Sequence, residues 1–166
     1  MMVNAILEDD RAHGDPTDPL VAIVIDIMNC YNETERRLML QRILDAPADH
    51  PARAVYAAMH CDFYPYSPVI GFGEAGSFSL PFLNPNGCQQ GATSGVWGAP
   101  LALHTAFLRA DETARQHCEA GFLRAGVDDA VLVAPKSVVY DILVQLIADL
   151  EADGYRMALP LSLIHI

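Results

Sequence analysis

An apolar run broken by a single carboxylate sets the terms for this chain: Leu20-Val21-Ala22-Ile23-Val24-Ile25-Asp26-Ile27. The run has strand length and no apolar/polar alternation, which suits a β-strand covered on both faces. Burying a lone carboxylate is costly. Asp26 must therefore sit at the strand's end, pair with another group, or bind a cation.

The segments downstream build a mixed architecture around that strand. Thr34 to Leu44 sets Leu38, Met39, Leu40, Ile43 and Leu44 among charged residues and predicts an amphipathic helix. Pro51 suits a first helical turn and predicts a second helix running to about Phe63. Tyr66–Phe72 and Ser77–Leu83 flank Gly73-Glu74-Ala75-Gly76 and read as a hairpin. A long helix is expected from Ser94 to Glu119, then two short strands, Phe122–Val127 and Ala130–Val133, meeting at Asp128-Asp129. Val138, Val139, Ile142, Leu143, Leu146, Ile147 and Leu150 mark one helix face, Gly154 is its stop, and Tyr155–Leu159 is a final edge strand.

With the first hairpin set aside, the order from Leu20 is βαββαβ. That is a split βαβ, or ferredoxin-like, α+β fold with helices on one face of an antiparallel sheet. In it Leu101, Phe107, Val139, Ile142, Leu143 and Leu146 are expected to pack on the sheet face holding Ile23, Ile25, Leu123 and Val131. The opening residues 1–19 are polar and turn-rich, with Gly14-Asp15-Pro16 and Asp18-Pro19, and are expected to be a loosely ordered lead-in. They carry acids and proline rather than a basic start and an apolar run, so they do not read as a signal peptide.

Charge narrows the function classes. The chain has 21 Asp+Glu against 10 Lys+Arg, a formal charge of −11, and its single lysine is Lys136. A protein that neutralised many phosphates unaided would need basic stripes, so independent nucleic-acid binding is not expected. No stretch reaches the length of a membrane-spanning helix. Four cysteines, Cys30, Cys61, Cys88 and Cys118, are too few for a disulfide scaffold, and an intracellular setting, cytoplasm or nucleus, is expected.

Several local patterns fail on their surroundings. Gly71-Phe72-Gly73-Glu74-Ala75-Gly76 fits a dinucleotide-binding glycine pattern, but Pro81 and the Phe/Leu alternation after it oppose the helix that pattern needs. His60-Cys61, Cys88 and His117-Cys118 lack the ligand spacing of a zinc site. Gly91-Ala92-Thr93-Ser94-Gly95 is not a nucleophile elbow.

The acids that interrupt apolar runs carry more information. Asp128 and Asp129 alone read as turn residues, and Asp26 alone as a strand-end acid. Together they fit the demand of two hard divalent ions for several carboxylate oxygens converging from rigid elements. A strand end beside a hairpin tip in one sheet supplies that convergence.

Here the sequence resembles the palm of reverse transcriptases, non-long-terminal-repeat retrotransposon enzymes in particular, over about residues 20–159. Val24-Ile25-Asp26-Ile27-Met28-Asn29-Cys30-Tyr31-Asn32 looks like the family's first palm motif, an Asp followed five residues on by an aromatic. Gly87-Cys88-Gln89-Gln90-Gly91 is similar to the second, a Gln-Gly turn leading into a helix. Gly126-Val127-Asp128-Asp129 resembles the third, paired aspartates on a hairpin. The intervals, about 64 residues from Asp26 to Gln90 and 38 onward to Asp128, suit that palm.

The resemblance implies an RNA-directed DNA polymerase acting by two-metal nucleotidyl transfer. Asp26 and Asp128 would hold Mg²⁺ (or Mn²⁺), with Asp129 a third, weaker ligand. Tyr31 would stand beside the sugar of the incoming nucleotide, while Gln90 and Gly91 would shape the pocket for template and nucleotide. Partners would be an RNA or DNA template-primer and a deoxynucleoside triphosphate, and no membrane. The family's basic fingers and its thumb are not among these residues, so the chain alone is expected to be inactive and to bind nucleic acid weakly. The alternatives are a degenerate palm and a non-enzymatic acidic interaction module. Residues 160–166, ending Ser162-Leu163-Ile164-His165-Ile166, look like translated adapter read-through and are expected to form no part of the fold.

Overall fold

The protein is described by a computed structural model over residues 2–51, 53–54, 67–69, 82–84, 87 and 95–157. Along the chain these form α1 (Met2–His13), β1 (Leu20–Met28), α2 (Cys30–Glu33), α3 (Arg36–Asp45), β2 (Ser67–Val69), β3 (Phe82–Asn84), α4 (Gly95–His117), β4 (Phe122–Ala125), β5 (Asp129–Pro135), α5 (Val139–Ala152) and β6 (Arg156–Met157). They fall into two compact units, one built from the chain up to Cys30 and from Leu103 onward, the other from Tyr31 to Ala102. No helix among the described residues is long and apolar enough to cross a membrane.

The first unit is an α+β fold on a four-stranded antiparallel sheet ordered β4-β5-β1-β6. Numbering only these strands along the chain, the order is second-third-first-fourth, which is what interleaved βαβ halves require. β1 lies inside the sheet, and its continuous apolar run follows from that position. Ile25 and Ile27 are buried on one face and Ala22 on the other. Gly154 takes φ +87 just beyond α5, the left-handed stop that a glycine permits. The chain then returns as the short edge strand β6.

Register divides the core into two faces. Ile23 stands opposite Leu132, which stands opposite Leu123, and all three are buried. Val139, Ile142, Leu143 and Leu146 of α5 are buried as expected, and the helix lies against β5 and β6. Val131 departs from expectation. Strand alternation puts it on the other face from Leu132, where it packs beside the cluster of Leu7, Ala22, Phe122 and Val133. Leu101 and Phe107 are only half-buried.

That second face also corrects the reading of the N-terminus. Residues 2–13 are the helix α1, not a loose lead-in. Val3, Ile6 and Leu7 recur at helical spacing and lie on Leu20, Ala22, Phe122, Val131 and Val133. The connection to β1 is tied as well. Asp10 accepts the Leu20 N–H at 2.8 Å, and Asp18 accepts the N–H and hydroxyl of Ser137 at 2.8 and 2.6 Å. The polar residues that suggested looseness are caps for neighbouring backbone.

Asp111 ties α4 to the edge strand. Its carboxylate accepts the Leu123 N–H at 2.8 Å, Arg115 Nε at 2.9 Å and an Arg124 N–H at 3.3 Å. Burial pushes the carboxyl up, but the hydrogen bonds from Arg115 and Leu123 and the charges of Arg115 and Arg124 outweigh it. Asp111 is held below the usual carboxylate range.

In the second unit, α3 starts two residues later than predicted and buries Met39, Leu40 and Ile43. Ser67–Val69 pairs antiparallel with Phe82–Asn84, so the two predicted hairpin strands do pair. Val69 stands opposite Phe82, two residues further along than a hairpin closed at Gly73–Gly76 would set, and β3 runs one residue past the predicted Leu83. The Gly73–Gly76 turn lies outside the described residues. Pro51, Arg53 and Ala54 are helical, and the remainder of that predicted helix also lies outside them.

Truncating Leu132 or Leu146, 0% and 1% exposed, to alanine should destabilise the chain by about 2–5 kcal/mol in urea unfolding. Asp111 has a lowered folded-state pKa, so its contribution is present above the unfolded-state value and is lost as pH falls through the folded-state value. Asp111→Asn should thus lower stability at pH 7 and flatten the acid limb of a stability–pH curve, with little difference from the parent at pH 2.

Candidate functional site

The site begins with the register of two strands. Asp26 on β1 stands directly opposite Asp129 on β5. The Ile27 N–H donates to the Asp128 carbonyl at 3.0 Å, and the Gly126 N–H donates to the Asp129 carbonyl at 2.7 Å. These bonds close a two-residue loop, Val127-Asp128, and set its height against β1. Opposed residues of an antiparallel pair share a face, so Asp26 and Asp129 point the same way. Asp26 and Asp128 are half-buried and Asp129 is exposed.

Two like charges directly opposed across a ladder are locally unfavourable. The pair sits where the second sheet face opens. α1 covers Ala22 and Val133 but Val24 is only half-buried, and Met28 is exposed. Two arginines belong to the same face. Arg124 stands opposite Val131, diagonal to Asp129, and Arg156 stands opposite Met28, diagonal to Asp26. Diagonal positions lie roughly 7–8 Å apart. The Arg124 guanidinium is turned toward Asp111 and lies 5.7 Å from the Phe122 ring centre. Arg156 is exposed.

Among the described residues no three His, Cys, Asp or Glu side chains form a group able to hold a metal ion. The expected convergence of three carboxylates is therefore not what the described side chains present. The ladder brings Asp129, rather than Asp128, into register with Asp26, and Asp128 occupies the loop beside it.

β1 leaves the sheet through Asn29, the only non-glycine among the described residues with positive φ, at 51°. Asparagine tolerates that left-handed region better than most residues. Cys30 follows, buried, with its thiol 3.9 Å from the Val127 carbonyl of the loop.

Tyr31, half-buried, opens the second unit. There the start of the second motif meets the end of the first. Gly87 has φ +86, and a Cβ on it would lie 2.8 and 2.9 Å from the carbonyl oxygens of Asn32 and Tyr31. Its N–H donates to the Thr34 carbonyl at 2.8 Å, and its own carbonyl accepts Arg36 Nε at 2.7 Å. Gln90 and Gly91 lie outside the described residues. Sequence reasoning missed Thr34 and Arg36. A charged residue amid a predicted helix start gives no local sign that it is buried.

A groove of about 420 Å³ between α4 and α5, lined by residues such as Arg109, Thr113, Asp141 and Asp149, contains none of the predicted site residues.

These features define an antiparallel α+β domain with opposed aspartates at a strand–hairpin junction. Among solved structures, telomerase from Candida tropicalis superposes with a TM-score of 0.74 at 12% identity, over 99% of this chain and 31% of that one. A C. tropicalis telomerase truncated at its C-terminal domain gives 0.69 at 14% identity, over 99% and 34%. Telomerase from Candida albicans, solved with a fragment of telomeric RNA, gives 0.67 at 14%, over 99% and 31%. The chain thus spans about a third of those chains, and at such identities the likeness is one of fold. Telomerase is a reverse-transcriptase relative. No protein-family model matches the chain, and no curated protein does.

The left-handed turn after β1 yields a direct test. Asn29→Val should destabilise by about 1–2 kcal/mol, because a branched side chain is strained at positive φ, while Asn29→Gly should stay within about 0.5 kcal/mol of the parent. Chemical unfolding of the two variants measures the difference.

Proposed function

We propose that the chain is the palm portion of a reverse-transcriptase-like polymerase of retroelement type. The observation that carries this reading is Asp26 in register with Asp129 at the hairpin that also holds Asp128, on a fold shared with telomerase. The three-motif resemblance in sequence supports it further.

The donor chemistry suits a hard cation. Mg²⁺ is commonly bound through one or two carboxylates, with water and substrate phosphates completing its shell. An opposed pair on an open sheet face fits that demand better than a closed protein cage would. Asp26 and Asp129, with Asp128 beside them, would hold the ion. When bound, Mg²⁺ or Mn²⁺ would supply charge neutralisation at the transferring phosphoryl group.

The chain's own residues would do the rest. The β1–β5 ladder holds the carboxylates without reorganisation. Tyr31 stands beside the sugar of a deoxynucleoside triphosphate, and Gln90 and Gly91 shape the pocket for nucleotide and template. The reaction is attack of a primer 3′-hydroxyl on the α-phosphorus, with pyrophosphate leaving. An intracellular setting, cytoplasm or nucleus, goes with this reading. The −11 charge and the lack of a three-carboxylate group among the described residues favour a second reading, a palm that has kept the fold and lost polymerisation.

The chain alone should bind Mn²⁺ weakly, by electron paramagnetic resonance titration. The double variant Asp26→Asn/Asp129→Asn should weaken that binding on the order of tenfold as ligand charge is removed. Unchanged affinity in the double variant would end the metal-site reading. Template-primer affinity should be poor at physiological salt, and primer extension with Mn²⁺ and all four deoxynucleotides should be absent. Extension abolished by Asp26→Ala would instead establish the chain as a polymerase in its own right.

A further inference from the structure

Arg124 stands on β4 opposite Val131, and so diagonal to Asp129 on the same sheet face. Diagonal positions of an antiparallel pair lie roughly 7–8 Å apart, within reach of a long side chain. A guanidinium would be favoured on Asp129, where two carboxylates stand opposed. Arg124 turns the other way. Its Nη1 donates to Asp111 at 3.3 Å and to the Leu123 carbonyl at 3.1 Å, and the guanidinium lies 5.7 Å from the Phe122 ring centre. The Asp111 oxygen that takes Arg124 also accepts the Leu123 N–H at 2.8 Å. The acid is thereby fixed to the edge strand and is only 18% exposed, while Arg124 is 56% exposed. Of the two partners, the arginine is the one able to move.

We propose that Asp111 is a positioning residue for the cation site. By holding Arg124 at the edge of the sheet, it keeps Asp129 open to a divalent ion. This rests on the reading of Asp26 and Asp129 as ligands of that ion. A guanidinium on Asp129 would occupy its oxygens and cancel the charge that the ion needs, so the two cations compete for one carboxylate. The hold on Arg124 is modest. An ion pair this exposed contributes little, and Arg115 shares the same carboxylate at 2.9 Å. Arg124 can therefore pass from one acid to the other readily, and the charge at position 111 decides where it rests. Asp111→Asn keeps an acceptor for the Leu123 N–H but removes that charge.

The test titrates the full chain with Mn²⁺, read by electron paramagnetic resonance, in the parent, Asp111→Asn, Asp111→Glu, Arg124→Gln and the double variant Asp111→Asn/Arg124→Gln. Asp111→Asn should weaken binding about three- to fivefold, the upper range of what an exposed ion pair supplies. Asp111→Glu, which keeps the charge, should restore parent affinity. Arg124→Gln should stay within about twofold of the parent, and adding Asp111→Asn to it should cost nothing further. That non-additivity marks Arg124 as the group acting at Asp129. A merely structural role for Asp111 would give the same loss in both backgrounds, and that result overturns the proposal. So does an Asp111→Asn variant with parent affinity, or a rise of more than twofold in Arg124→Gln, since Arg124 would then already rest on Asp129. Circular dichroism melts show whether Asp111→Asn folds. If it does not, Arg124→Gln decides. Each overturning result leaves the metal-site reading standing as long as Asp26→Asn/Asp129→Asn still weakens Mn²⁺ binding. Unchanged affinity in that variant overturns both.

Discussion

The ladder between β1 and β5 is the interaction on which the first unit depends. It pairs seven consecutive positions, from Leu20 opposite Pro135 to Asp26 opposite Asp129. Everything else there is fixed against it. β4 extends the sheet from β5, β6 adds to β1, α1 covers one end of one face, and α5 lies on β5 and β6. Because side chains alternate along a strand, a slip of one residue would turn Ile23, Ile25 and Ile27 out of the core. The burial of those three isoleucines therefore also sets the height of the hairpin loop, and with it the pairing of the two aspartates.

That coupling explains how a locally unfavourable arrangement persists. Opposed carboxylates repel by a fraction of a kcal/mol to about 1 kcal/mol, while each buried isoleucine or leucine contributes roughly 1.5–3 kcal/mol. The hydrophobic register wins by a wide margin and holds the acids in place. The exit from β1 follows the same logic, with Asn29 accepting a strained conformation so that Cys30 can be buried next to the loop.

What was legible in the sequence follows from the range of the forces involved. β1, the β4–β5 hairpin and α5 each announce themselves locally, through an unbroken apolar run, a paired-aspartate turn and 3–4 spacing. α1 was misread because its few apolar residues, Val3, Ile6 and Leu7, are set among acids. One of those acids, Asp10, caps the Leu20 N–H rather than loosening the chain. The partner of Asp26 depended on which residue ends a two-residue loop, and composition does not record a one-residue choice. The clamp of Arg36 on Gly87 spans 51 residues. Nothing near either residue marks the other, although a glycine opening the second motif was visible.

The placement of the cations extends the charge argument beyond a simple count. All ten lie among positions with described side chains, and at least five are engaged inside the protein. Arg36 holds Gly87, Arg53 holds the carbonyls of Leu44 and Ala46, Arg109 pairs with Asp149, and Arg115 and Arg124 share Asp111. Polyanion affinity falls steeply with salt unless many phosphates are neutralised at once. Here at least half of a small basic complement is already committed to fixing backbone and helix positions, against 21 acids. The arginines serve geometry in this chain, and one of them, Arg124, reaches Asp111 from the very face that carries Asp129. A duplex held in line with the aspartates would have to draw its counter-charge largely from elsewhere. The charge that could balance a polyanion is thus largely spent within the fold, while the two opposed aspartates stay on the sheet face that the register gives them.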